Sequence, residues 1–167
     1  MAARTLVLLR HAKAESEGDL GDAKRPLSTR GRRQAGAVGT QLATEVGPID
    51  LAIVSSALRT TETYRLLGEQ LAVRSHEVRE EVYAGGPRDV LDLLRGTAPE
   101  VGSVLVIGHE PTMSGTAYLL HDERDELAKQ VSMGIPTASA CILQVPHGWA
   151  DLDRAGAHLT RILRPSE

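Results

Sequence analysis

The 167-residue chain has no phenylalanine, one tryptophan and three tyrosines, so leucine, valine, isoleucine and alanine must build its core. Its single cysteine, Cys141, excludes an internal disulfide and a cysteine-built metal site. Cys141 lies in a run of apolar and small residues, 138–143, where a free thiol behaves as a buried hydrophobe rather than a nucleophile. Long hydrophobic runs are also missing. Residues 6–9 and 104–107 are among the longest, far short of the ~20 residues that span a bilayer. Residues 1–9 lack the apolar segment and cleavage site of a secretory signal, so the expected location is cytoplasmic. Basic residues do not exceed acidic ones, 19 against 22, and no overall positive field points to nucleic acid or an anionic membrane. Any anion site must therefore be a local concentration of positive charge.

Residues 5–9 form a continuous apolar run that stops at Arg10-His11, as in a strand buried on both faces of a parallel sheet. A polar stretch, 14–25, separates it from a helical pattern introduced by Pro26 and Ser28, with Ala35, Val38, Leu42 and Val46 on one face. Residues 51–54 read as a second buried strand, and Ser55 and Ser56 are both suited to cap the helix that follows. Residues 73–78 read as a third strand, and 87–95 as a helix with proline near its start and Gly96 after its end. Residues 103–107 are again strongly apolar and lead through Gly108-His109-Glu110 to Pro111, a first helical residue. Strands follow at 138–145 and 158–163, the latter at an edge. Strands alternating with helices, with no repeat or linker, predict one domain over 1–167. It is an α/β fold: a three-layer α/β/α sandwich with a mostly parallel central sheet.

Three of the buried strands run straight into cationic, hydroxyl or imidazole residues: Arg10-His11, the stretch from Ser55 to Arg59, and His109. Open α/β sheets bind ligands beyond the carboxyl ends of their strands, so neighbouring parallel strands would deliver all three clusters to one edge. Two arginines, two histidines and two helix N-termini would suit a compact dianion such as a phosphoryl group. Phosphoryl transfer depends on positioning and on stabilising spread negative charge. One imidazole can attack phosphorus while the other donates to an equatorial oxygen. The attacking ring must be neutral, and nearby guanidinium groups disfavour its protonation.

These residues resemble the histidine phosphatase superfamily. Leu8-Leu9-Arg10-His11-Ala12 is similar to its Arg-His-Gly signature, with alanine for the usual glycine. Arg25-Pro26-Leu27-Ser28, followed by Gly31 and Ala35, resembles the Arg-Pro-Leu-Thr segment of small SixA-like phosphohistidine phosphatases. Ser55-Ser56-Ala57-Leu58-Arg59 through Thr63 resembles their Ser-Pro-x-x-Arg-x-x-x-Thr segment, and residues 104–111 resemble the strand leading to a second catalytic histidine. The resemblance implies a phosphoglycerate mutase-like fold, His11 as nucleophile, and a phosphate pocket formed by Arg10, Arg59 and His109. It implies no metal or organic cofactor. Glu81 stands where related phosphomonoesterases carry a general acid, with Glu80 beside it. Lys13, Arg25 and Ser55 are further substrate-binding candidates, and Thr137 and Ser139 are candidates to line the pocket.

Three functions remain open at this point. The first is a phosphatase acting on phosphohistidine in a protein, forming a phosphorylated His11 and passing the group to water. The second is a small-molecule phosphomonoesterase using Glu81 as acid, and the third a phosphate-dependent binding module without turnover. The expected partners are a phosphorylated substrate and inorganic phosphate. His76, His121, His147 and His158 show no short-range ligand spacing in the sequence.

Overall fold

The apolar runs become the buried centre of a six-stranded sheet in the computed structural model, which describes residues 3–165. In chain order the elements are β1 (Arg4–Arg10), α1 (Thr29–Glu45), β2 (Ile49–Ser55), α2 (Leu58–Leu67), β3 (Val73–Arg79), α3 (Glu80–Ala84), α4 (Pro87–Arg95), β4 (Ser103–Gly108), α5 (Thr112–Leu120), α6 (Glu126–Ser132), β5 (Ala140–Val145) and β6 (His158–Leu163). The strand order is β3-β2-β4-β1-β5-β6. β3, β2, β4 and β1 are mutually parallel, and β5 runs antiparallel to both of its neighbours. The mostly parallel α/β sandwich is the observed architecture, with β6 at an edge of the sheet.

Alternation along β1 explains the three layers. Leu6 and Leu8 join Val90, Leu91, Met113 and Ala117 of α4 and α5 in one cluster, while Val7 and Leu9 join Val38, Leu42 and Leu67 of α1 and α2 in the other. These strand residues are all fully buried, and each such side chain contributes about 1.5–3 kcal/mol through removal from water. Trp149 closes the first cluster, donating its indole N–H to the Val101 carbonyl at 2.7 Å.

The register places the strand ends together. Arg10 pairs with Gly108 across β1 and β4, and Ile107 pairs with Val54 across β4 and β2. β4 thus lies between the other two strands, and their carboxyl ends finish at nearly the same level. Two local expectations are corrected. α2 is preceded by Ala57 rather than capped by Ser55 or Ser56, because the Ser55 hydroxyl is turned toward His109 and that of Ser56 bonds Glu80. β5 begins at Ala140, not 138, because Ala138 takes a positive φ of 59°.

Candidate active site

The nucleophile candidate is held by backbone on every side. The His11 amide donates to the Gly108 carbonyl at 3.0 Å, and the Arg10 amide donates to Ser139 at the same distance. Ala138 in turn donates to the carbonyls of Arg10 and His11. The Ala12 amide donates to the Thr63 hydroxyl at 3.1 Å, and that hydroxyl donates to the Arg59 carbonyl one helical turn away. The last position of the Ser-x-x-x-Arg-x-x-x-Thr pattern therefore fastens the loop after β1 to α2. Ala12 is fully buried, so its methyl group is packed rather than projecting into open space.

His11 Nδ1 lies 2.7 Å from the Ala12 carbonyl, a contact that requires the proton on Nδ1. Nε2 then carries the lone pair and accepts a hydrogen bond from Arg59 Nε at 3.3 Å. The His109 ring lies 5.2 Å from the His11 ring. His109 Nε2 is 2.7 Å from the Ser55 hydroxyl, and its Nδ1 is buried without a hydrogen-bond partner among the described residues. Burial, reinforced by His109, Arg59 and Arg10, lowers the His11 pKa to about 3 despite the opposing Ala12 contact. Burial and then Arg59 lower that of His109 to about 4. Both rings are neutral at physiological pH.

Arg59 sits in the first turn of α2 and is buried; its Nη1 and Nη2 donate to the backbone carbonyl and the carboxylate of Asp22 at 2.9 and 3.1 Å. Arg10 donates from Nη1 to the Ile135 carbonyl at 2.9 Å and borders a cavity of about 500 Å³. That cavity also involves Glu110, Met133, Pro136 and Arg164, with Met133 largely exposed. The structure thus brings together His11, Arg59, His109 and Ser55, with Arg10 on the strand beside them.

The remaining candidates separate. Arg25 reaches the cluster through Asp22, which its Nη1 contacts at 3.1 Å. Lys13 is exposed, and among the described residues only its backbone is engaged, with Gln34 of α1 and the helix's N-cap, Ser28. Glu81 is exposed and its carboxylate is paired with Arg79 at 2.8 Å, which lowers its pKa. The adjacent Glu80 instead accepts a hydrogen bond from Ser56, beside the β2 end. Ser139 is fully buried, and the Thr137 hydroxyl lies 3.4 Å from Gln34 Oε1. Cys141 is buried and its thiol is pushed up to about 12 by that burial, as expected of an inert core residue.

Asp22 and Tyr83 were not anticipated. The Tyr83 hydroxyl donates to Asp22 Oδ2 at 2.8 Å, and its ring meets the His109 ring edge-on at 5.6 Å. The sequence pattern held no local signal for either. Elsewhere, pairing of β5 with β6 places His158 at the opposite edge of the sheet from His11, next to His121 and Asp122. His121 accepts from the Leu159 amide at Nδ1 and contacts Asp125 through Nε2, so both ring nitrogens are committed within the protein.

A sequence model described as histidine phosphatase superfamily (branch 1) matches residues 6–85. An uncharacterized protein of Mycobacterium tuberculosis, Rv1276c, is 31% identical over 154 residues, covering 90% of this chain and 96% of the relative. Among solved structures, SixA of Nakamurella multipartitia, a candidate phosphohistidine phosphatase, is 31% identical. It superposes with a TM-score of 0.88 over 100% of this chain and 99% of that one. The corresponding candidate from Agrobacterium tumefaciens is 27% identical, with a TM-score of 0.80 over 97% and 99% of the two chains.

Proposed function

The chain belongs to the histidine phosphatase superfamily, in its SixA-like branch, and from that premise we propose that it hydrolyses phosphohistidine on a protein through a phosphorylated His11. The observation that carries the reading is the His11 ring itself. It is buried and neutral, with Nδ1 bound to a backbone carbonyl and Nε2 turned to Arg59.

In the first step, the Nε2 lone pair forms a bond to phosphorus while the bond from phosphorus to the substrate imidazole breaks. The substrate ring takes its proton from solvent beforehand and departs neutral. His11 keeps its Nδ1 proton on the Ala12 carbonyl, so the phosphorylated ring carries a positive charge that this carbonyl stabilises. In the second step, water attacks phosphorus, one water proton passes to solvent, and His11 leaves as the neutral imidazole with which it began. Nothing need be protonated to release it. Arg10 and Arg59 balance the charge on the equatorial oxygens. A Ser55 hydroxyl donating to His109 Nε2 leaves the proton on Nδ1, the atom without a protein partner, free to reach a phosphoryl oxygen.

Two observations favour a protein substrate over a small ester. The cavity beside Arg10, with Met133 exposed at it, gives room for chain flanking a phosphorylated side chain. Glu81, the acid required by the ester reading, is paired with Arg79 and held ionised.

The test is turnover of a phosphohistidine peptide and of alkyl phosphate esters by wild type, His11→Ala and Glu81→Gln, with mass analysis of His11 during turnover. The expected result is peptide hydrolysis lost in His11→Ala, retained within about twofold in Glu81→Gln, and a transient phosphate on His11. Strong ester activity lost in Glu81→Gln would establish the metabolite reading, and phosphate binding without any phosphorylated His11 would establish a binding module.

A further inference from the structure

We infer that Asp22 is a positioning residue that grips the outer end of the Arg59 guanidinium and thereby turns its inner edge toward the phosphoryl site. The inference rests on the reading of His11 and Arg59 as the phosphatase centre.

A guanidinium offers two forks, an end-on one formed by Nη1 and Nη2 and a side-on one formed by Nε and the second hydrogen of Nη2. Asp22 occupies the end-on fork from two directions, with its backbone carbonyl on Nη1 at 2.9 Å and its carboxylate on Nη2 at 3.1 Å. The side-on fork is the one that meets His11, through Nε at 3.3 Å from Nε2. An anion seated on His11 Nε2 would therefore meet Nε–H and the free Nη2 hydrogen together. Arg59 is only 6% exposed, and a guanidinium so buried is costly without a counter-charge. Asp22 is its ion-pair partner among the described residues.

Asp22 is itself held. Its Oδ2 accepts from the Tyr83 hydroxyl at 2.8 Å, and its Oδ1 accepts from Arg25 at 3.1 Å. Arg25 is anchored in turn by Nε on the Glu15 carbonyl at 2.7 Å. Asp22 opens a short 3₁₀ turn after Gly21, whose φ of 87° suits glycine. Hydrogen bonding from Tyr83, then Arg25 and Arg59, holds the carboxyl at a pKa of about 2, so the grip persists throughout the working pH range. The polar stretch after β1 thus supplies a built support for the arginine from outside.

The competing role for such a carboxylate is that of a stand-in anion, displaced when phosphate arrives. The contacts argue otherwise, because Asp22 holds the two terminal nitrogens and leaves the Nε–H that faces His11 untouched. The two roles predict opposite kinetics. A support matters most when charge spreads over the equatorial oxygens, so its loss lowers kcat more than it changes KM. A competitor, once removed, strengthens phosphate binding and leaves kcat intact.

The experiment uses the full chain and compares wild type, Asp22→Asn, Tyr83→Phe, Arg59→Lys and the Asp22→Asn/Arg59→Lys double variant, with a phosphohistidine peptide as substrate and inorganic phosphate as inhibitor. Asp22→Asn should lower kcat roughly tenfold with KM within about twofold. Tyr83→Phe, which removes one hydrogen bond and preserves shape, should lower kcat about threefold. In the Arg59→Lys background, where no fork exists to be aimed, Asp22→Asn should have no further effect. The Arg59 Nε–H resonance, identified by its loss in Arg59→Lys, should broaden in Asp22→Asn whether or not any substrate is turned over. An unaltered resonance, an equal fall in the lysine background, or undiminished kcat with tighter phosphate inhibition would each overturn the inference. Wild-type protein that fails on the peptide would count against the phosphatase reading alone, since the resonance still reports on Asp22.

Discussion

Lowering the pH from 7 to 5 tests the two buried imidazoles through stability, independently of any substrate. In the folded chain His11 has its pKa lowered to about 3, against 6.5 for an ordinary histidine, chiefly because burial excludes the charged form. Between these values the unfolded chain binds a proton that the folded chain refuses. Stability contributed by the neutral ring is therefore present above pH 6.5 and is lost as the pH falls through that window. At pH 5 the gap below the ordinary pKa is roughly 1.5 pH units, worth about 2 kcal/mol at ~1.4 kcal/mol per unit. His109, lowered to about 4, adds a cost of about the same size at pH 5.

Against a total stability of about 5–15 kcal/mol for a domain of this kind, a loss of about 2 kcal/mol per ring is readily measured. Urea denaturation of wild type and His11→Gln at both pH values reads the effect of the His11 ring together with its coupling to His109, because the titrating groups remote from the site contribute equally to both proteins. Wild type should lose about 2 kcal/mol more than His11→Gln between pH 7 and pH 5. Equal losses in the two proteins would show that His11 is not held neutral by the fold, and the argument for its lone pair would fail with it.

Two substitutions test the scaffold beneath the site. Thr63→Val keeps the volume but leaves the buried Ala12 amide without its acceptor, so it should cost about 1–3 kcal/mol in urea and lower turnover by loosening the loop that carries His11. Gly31→Ala would place a methyl group 1.9 Å from the Lys13 carbonyl oxygen, where α1 abuts the same loop. It should lower stability by about 2 kcal/mol or more, whereas Gly36→Ala on the same helix meets open space and should be neutral or slightly stabilising. A Gly31→Ala protein as stable as wild type would refute the close packing.

How far the site was legible follows from how each contact is made. Arg10-His11 and His109 stand at the ends of continuous apolar runs, and a strand buried on both faces writes itself into sequence as such a run. That β4 lies between β1 and β2 is a matter of strand order, which no local pattern encodes, yet it is what gathers the three ends. Asp22 looked like any charge in a polar loop because its partners, Arg59 and Tyr83, lie 37 and 61 residues away. The Glu80–Glu81 pair was ambiguous because it was not evident that α3 begins there. Once helical, adjacent residues point about 100° apart, which sends one carboxylate to Ser56 and the other to Arg79. His121 and His158 escaped the spacing argument for the same reason as Asp22, since an isolated bridge between His121 and Ala157 brings them together across the chain.

The engagement of the carboxylates bears on which bond this site is fit to break. An alkyl ester leaves as a strongly basic alkoxide and needs a proton delivered in the transition state by a group poised near neutral pH. Around His11 the acidic side chains are already committed to hydrogen-bond donors, Asp22 to Tyr83 and two arginines, Glu80 to Ser56 and Glu81 to Arg79, and the donors on Asp22 and Glu81 favour the ionised form. Tyr83 is shifted the other way, its pKa raised by the Asp22 carboxylate it serves. His109, neutral down to about pH 4, has a hydrogen to donate but little tendency to release it. Phosphohistidine makes no such demand, because an imidazole of pKa about 6.5 collects its own proton from water before the bond breaks. On the proposed function, a centre rich in fixed positive charge and poor in mobile protons would select its substrate by the basicity of what must leave, and a preference for phosphoramidate over ester would need no contact with the rest of the substrate.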